Sequence, residues 1–380
     1  MTRWMLSIWT ALALAACAAT SPQGPAEGGA AFFSAPVTGA NALFPVAARS
    51  AQLGRVDFST GGRRGDLICV RARDVRPLQP LVAPSLAAMR GAGPIEFTRA
   101  PRDYSRGLND AAFRVLLTQD AALAQQAVAT LRTHADQNAW LPPNPNGTAG
   151  SVVIEGMGPM LPAWQILRQA RTTTDADRAA IDPWIGRLAA RADERETDNN
   201  AATYRGANNM LLGLMTGDGG RYARGRSAVV AQIGGMRPDG SFPLEVERGR
   251  GALQNQSRNI GFIVYASDIA VSKGDGLWSA EVDGRSVRTA IRFFLDAAED
   301  NALVDRYASA NIRPPDDAPV FRPNDQLDPF NGATKSWANS FVQRFPGEPL
   351  SADLRSSMKI GSRVSNDVTG GNSSCYASRL

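Results

Sequence analysis

Two short stretches of the chain concentrate side chains that bind and polarise anions. The first, Thr197-Asp198-Asn199-Asn200-Ala201-Ala202-Thr203-Tyr204-Arg205-Gly206, stands where one helical pattern stops and another starts. The second runs from Phe242-Pro243 through Glu245, Glu247, Arg248, Arg250 and Gly251 to Ala252-Leu253, and on into Asn255, Arg258 and Asn259. Amides, guanidiniums and glycines at helix starts allow backbone N–H groups and side-chain donors to converge on a carboxylate. Each residue also has a plain structural reading. Asn199 and Asn200 fit as helix caps, Arg248, Arg250 and Arg258 as a solvated or internally paired basic patch, and Tyr204 as a packing aromatic.

Absences narrow the chemistry further. His134 is the only histidine, so a Ser-His-Asp arrangement has one candidate base and a histidine-rich metal site has none. At the end of a helical pattern, His134 reads as a surface or C-terminal capping residue. No Gly-rich phosphate loop and no CxxC pair occurs, and no metal or organic cofactor is implied. Trp140, Trp164, Trp184 and Trp278 are either core residues or platforms on which sugars stack; Trp140, beside a proline-rich loop, is the substrate-binding candidate.

The elements that position these residues are helical. Apolar residues three or four apart mark Leu108 to Leu117, Ala121 to Ala135 with Asp120 as cap, and Val152 to Arg171, which Pro159 and Pro162 must kink or interrupt. The pattern returns at Asp175 to Glu196, with Asp175 as cap and a kink or a restart at Pro183. Asn208 to Met215, Ala223 to Met236, Leu253 to Ser272 and Ser286 to Glu299 follow, with a weaker helical hint at Trp337 to Gln343. Residues 31–76 form an irregular lead with one strand-like run at Leu67 to Val70, and a short helix is expected near Ser85 to Arg90. The last stretch, 301–380, reads as a loop-rich extension. Hairpins that cannot bury their apolar faces alone must stack; a closed ring is one solution, and a solenoid or an irregular bundle is another.

The N-terminus carries Arg3 and then the run Trp4 to Ala16, broken only by Ser7 and Thr10, which is too short to span a bilayer. Leu14-Ala15-Ala16-Cys17 resembles the lipobox of bacterial lipoproteins. It implies a signal peptide over 1–16, lipid on Cys17, and a flexible tether over 17–30. Ala18 after the cysteine points to the outer membrane, facing the periplasm. Cys69 and Cys375 then form a disulfide or stand as separate thiols. The formal charge is +5, and only Lys273, Lys335 and Lys359 are lysines. An exported, arginine-rich surface suits an acidic polysaccharide; nucleic acid is excluded by the export signal and the lack of a binding motif, and protein partners are not indicated.

Asn199-Asn200 with Tyr204, then Pro243-x-Glu245, Arg248 and Ala252-Leu253, resemble the alginate lyase family of helical-toroid polysaccharide lyases that cleave uronic-acid polymers. The likeness covers roughly residues 75–300 and implies an all-α, α/α toroid over 77–300, an incomplete ring of helical hairpins. Departures fall on the chemistry. Ala201 stands where the family has histidine, Gly251 where it has arginine, and Asn255 and Arg258 near the family's tyrosines.

The resemblance implies β-elimination from an acidic polysaccharide in the bacterial envelope. Such a reaction removes the proton at C5 of a uronate, so its carboxylate must first be neutralised by donors. Asn200, Arg248 and Arg250 are the expected neutralisers, with Asn199, Arg205, Asn255 and Arg258 binding substrate. Tyr204 is the expected acid/base, its phenolate favoured by Arg205 beside it. The alternative is an inactive polysaccharide-binding or exopolysaccharide-assembly lipoprotein on the same fold. A third reading gives the acid/base role on another polymer to Glu155, Glu245 or Glu247.

Overall fold

Capping side chains decide where the helices begin. In the computed structural model, which describes residues 31–55, 94–142, 144–312, 321–324, 326–358 and 367–377, Asp120 accepts from the N–H groups of Ala122 and Leu123, both at 3.0 Å. Thr174 takes the capping role expected of Asp175, forming a reciprocal pair with Asp177 three residues later. The signal segment, Cys17 and the tether, the run at 67–70, Cys69, and the short helix at 85–90 lie outside the described residues.

The chain divides into Met1–Ala31 and a unit Phe32–Leu380, whose helices are α1 (Val46–Leu53), α2 (Pro94–Thr118), α3 (Ala121–Asp136), α4 (Thr148–Leu167), α5 (Asp175–Asp193), α6 (Asn200–Thr216) and α7 (Gly219–Gly234). After the single turn α8 (Pro243–Val246) come α9 (Ala252–Ser272), α10 (Val287–Glu299), α11 (Ala302–Ala308), α12 (Gly332–Arg344), α13 (Pro349–Met358) and α14 (Ser373–Ala377). Among the described residues, extended pairing is limited to isolated bridges such as Phe33 with Ala170. Helices α4 and α5 run on through Pro159, Pro162 and Pro183 rather than stopping there.

Burial patterns sort the helices into two layers. Helix α9 is buried nearly all round, and most of α6 is too, as expected for elements with neighbours on every side. Helix α7 instead buries one stripe, Tyr222, Gly225, Val229 and Ile233, at helical spacing. Helices α2, α4, α6, α9 and α12 neighbour one another in that order, and α3, α5, α7, α10 and α13 back them. The result is an all-α toroid of helical hairpins. Where α6 crosses α7, a Cβ on Gly225 would come within 2.4 Å of the Gly206 carbonyl, so the backbones meet there with no room for a side chain.

The two ends differ from the patterning. Within the expected irregular lead, α1 buries Val46 and Leu53; within the expected loop-rich extension stand α11, α12 and α13, with α12 completing the inner layer. The signal in α12 is diluted because its buried face mixes Trp337 and Phe341 with hydroxyls. Thr334 bonds Ser257 at 2.5 Å, and Ser336 bonds Thr369. The tail then passes from α12 towards α2. Asn372 donates to Asn109 and Asp110, Arg49 donates to the Cys375 carbonyl, and Tyr376 stacks on Phe44. Cys375 is disulfide-bonded, with its partner outside the described residues.

One buried charge lies between α9 and α12. Burial pushes the Asp268 carboxyl up to about 6, against the opposing pull of Arg344 at 3.6 Å. A carboxyl raised above its unfolded value holds its proton longer when folded, so folding loses stability as pH rises from about 4 to above 6. Replacing Asp268 with Asn is expected to remove that loss, on the order of 1–3 kcal/mol. Urea unfolding of both proteins at several pH values across this window checks it; parallel pH profiles would contradict the assignment.

Candidate active site

The start of α6 carries the first of the two stretches. Asn199 is its N-cap, accepting from the Ala201 N–H at 3.0 Å. Asn200 donates its backbone N–H to one oxygen of Glu245 at 2.7 Å and its side-chain amide to the other at 2.9 Å. Glu245, 1% exposed, sits on the positive end of α6, with the Arg248 guanidinium 3.7 Å away. Arg248 also donates to Asn255 at 2.9 Å, and Asn255 donates to the Gly251 carbonyl. Both expected stretches therefore meet, and the anion held by the donors of Asn200 is the protein's own carboxylate. Arg250, half-buried in the turn Gly249–Gly251, accepts from the Leu327 N–H through its carbonyl.

One turn further along α6 and α9 the inner helices open into a cavity of about 200 Å³. Arg102 and Arg106 of α2, Glu155 of α4, Tyr204 of α6 and Arg258 of α9 supply its polar lining. Phe262, Ala333 of α12 and Val368 of the tail supply the apolar wall. Register is carried by Thr203, whose hydroxyl donates to Asn259 at 2.6 Å. Tyr204 lies flat on Phe262, centroids 4.1 Å apart and 10° from parallel, with the Tyr265 ring edge-on at 6.3 Å. Its hydroxyl points at the backbone of α4: a Cβ on Gly158 would fall 1.4 Å from that oxygen, so only glycine fits. Glu155 accepts from Arg102 and lies 3.5 Å from Arg258.

Other expected site residues fall elsewhere. Arg205 turns away from Tyr204, since consecutive helical residues project about 100° apart, and donates to the carbonyls of Ala192 and Arg195 at the end of α5. The cations lining the Tyr204 cavity are instead Arg102, Arg106 and Arg258. Trp140 is buried against Tyr104 and His134 and is not among the lining residues. Its left-handed backbone, φ 70°, folds the chain back over the end of α3. His134, expected at the surface or as a C-terminal cap, does stand in the last turn of α3 but is buried beside Tyr104 and Trp184. Arg102 and Arg106 escaped notice in the sequence although their i, i+4 spacing puts them on one helix face. Among the described residues, no three His, Cys, Asp or Glu side chains converge as metal ligands would.

Residues 103–303, more than half of the chain, match the family model for alginate lyase. The chain belongs to the alginate lyase family. A polysaccharide lyase of Stenotrophomonas maltophilia (strain K279a) is 27% identical over 139 residues, a match covering 35% of this chain and 41% of that relative's length. In three dimensions this alginate lyase family member resembles alginate lyase A1-III from Sphingomonas species A1, with a TM-score of 0.70 at 19% identity over 93% of this chain and 100% of the other. A variant of alginate lyase A1-III complexed with tetrasaccharide gives 0.71 over 92% and 98%, also at 19% identity. An alginate lyase from Bacteroides ovatus gives 0.57 at 16% identity. At these identities the structural likeness speaks for the toroid fold.

Gly158→Ala is expected to drive Tyr204 off Phe262 and cost about 1–3 kcal/mol by overpacking. Gly186→Ala, where a Cβ meets nothing within 4 Å, should hold or gain stability. Urea unfolding with near-ultraviolet circular dichroism checks the pair; equal stability of both variants would refute the Tyr204–Gly158 contact.

Proposed function

We propose that this protein is a polysaccharide lyase that cleaves an acidic, uronate-containing polymer by β-elimination, with Tyr204 as acid/base. The observation that carries the reading is the cavity lined together by Tyr204 and by arginines from α2 and α9, inside the toroid of an alginate lyase family member. Arg258 and Arg102 pair with the uronate carboxylate and stabilise the enolate that forms when the C5 proton leaves. The Tyr204 phenolate takes that proton; the C4–O bond breaks, and the phenol returns a proton to the departing oxygen, leaving a C4–C5 double bond. The phenol of Tyr204 thus does, from α6, the work of the tyrosine that the family resemblance puts near Asn255 and Arg258 on α9. Arg248 and Arg250, one turn up, add positive charge beside this cavity.

A second reading has a specific observation behind it. Ala201 replaces the family's histidine, and the Asn200 donors are engaged by Glu245, which fits a protein that holds the polymer without cutting it. Incubation with alginate and glucuronan, followed by absorbance of the unsaturated product, separates the two. Turnover is expected for the native protein, and Tyr204→Phe should lower it about 10²- to 10⁴-fold with polymer affinity little changed. Polymer binding without any turnover by the native protein would leave the binding reading.

We further propose that the protein is lipid-anchored through Cys17 on the periplasmic face of the outer membrane, on the strength of the Leu14-Ala15-Ala16-Cys17 segment followed by Ala18. Labelled palmitate should enter the native protein and not Cys17→Ser, with the label in outer-membrane fractions; equal labelling of both would count against it.

A further inference from the structure

The protein contains two glutamates that face guanidiniums near the cavity, and their settings differ. Glu245 is buried, tied by a backbone N–H and an amide to the start of α6, and joins scaffold to scaffold. The side chain of Glu155 is 22% exposed and lines the cavity itself. It pairs with the tips of two long side chains from different helices, Arg102 of α2 and Arg258 of α9, themselves 34% and 38% exposed. Arg102 reaches one carboxylate oxygen through Nε at 2.7 Å and through a terminal nitrogen, while Arg258 approaches the other oxygen at 3.5 Å. A carboxylate so placed shows that the cavity accepts a carboxylate between these arginines.

We infer that Glu155 is a displaceable internal carboxylate that occupies, in the unliganded protein, the position taken by the carboxylate of an incoming sugar acid. The inference rests on the reading of this cavity as a uronate site. Partly exposed ion pairs are individually weak, so an external carboxylate exchanges for Glu155 at small cost, and both arginines keep a partner throughout. In the bound state the displaced Glu155 carboxylate remains beside a second anion, so the exchange favours substrates that bring more than one contact. Isolated carboxylates lose the competition, whereas an oligomer held by neighbouring sugars wins it. Glu155 is thus a selectivity residue that suppresses occupation by small anions.

Titration calorimetry on the full chain and on Glu155→Gln tests this, using a mannuronate trimer, a glucuronate trimer and sodium sulfate as probes. Removing the internal competitor is expected to tighten binding by about two- to thirtyfold, the equivalent of two partly exposed ion pairs. The gain should be larger for sulfate relative to its starting affinity than for either trimer. If Glu155 instead served to hold the arginines in place, Glu155→Gln would bind every probe equally or more weakly, and that result overturns the inference. Should Glu155→Gln fail to fold, Glu155→Asp, which withdraws the carboxylate by one carbon, is expected to tighten binding in the same sense; no tightening there overturns it equally. Tighter sulfate binding in the variant with no trimer binding to either protein would sustain the exchange and remove the uronate reading. Cleavage of a uronate polymer by the native protein, with no tightening in the variant, would do the reverse.

Discussion

The carboxylate of Glu245, withdrawn from water at the head of α6 and bonded to both donors of Asn200, ties the turn before α9 to the helix beside it. Breaking such a tie by removing one partner strands a buried polar group, typically at about 3–5 kcal/mol, so the two helices hold a single register. Thr203 and Asn259 repeat the lock one turn further on. From that register follows the stacking of Tyr204 on Phe262 and the presence of Arg258 in the same cavity. The helix dipole that suits a sugar acid at this point is already compensated by the protein itself, and the solvent-reached donors lie below it.

The cavity is bounded by segments far apart in the chain, and small residues make room for the large ones. Gly158 lets the Tyr204 hydroxyl approach the α4 backbone, and Gly261 lets Val368 of the tail lie against α9, where a Cβ would come within 2.1 Å of it. The tail is held by polar bonds to α2 through Asn372 and by the disulfide at Cys375, so the pocket wall and the anchoring of the C-terminal residues are one structural matter. The polar lining combines Arg102, Arg106 and Arg258 with the carboxylate of Glu155.

Much of the fold was legible in the sequence because helix patterning and capping are local. Asp120, the span of α9 and the hairpin of α6 with α7 follow from spacing over a few residues, and the Asn199-Asn200 and Pro243-x-Glu245 segments carried the family resemblance. Residues that pack through satisfied hydroxyls were not legible. Thr334 and Ser336 of α12 look like surface until their partners are known, which is why the end of the chain reads as loop. The burial of Trp140 and His134 depends on a left-handed turn that no local pattern announces.

The sequence by itself determined the main helices between residues 108 and 299, their order, and the inventory of amides and arginines, since these rest on periodicity and residue type. Tertiary structure alone decided which partners these donors meet. Asn200 and Arg205 are drawn to Glu245 and to the end of α5, while Arg102, Arg106, Tyr204 and Arg258 come together in the lining of one cavity. The reason is geometric: the direction of a side chain at a helix crossing is set by the register between helices more than fifty residues apart, and no spacing within either helix encodes it.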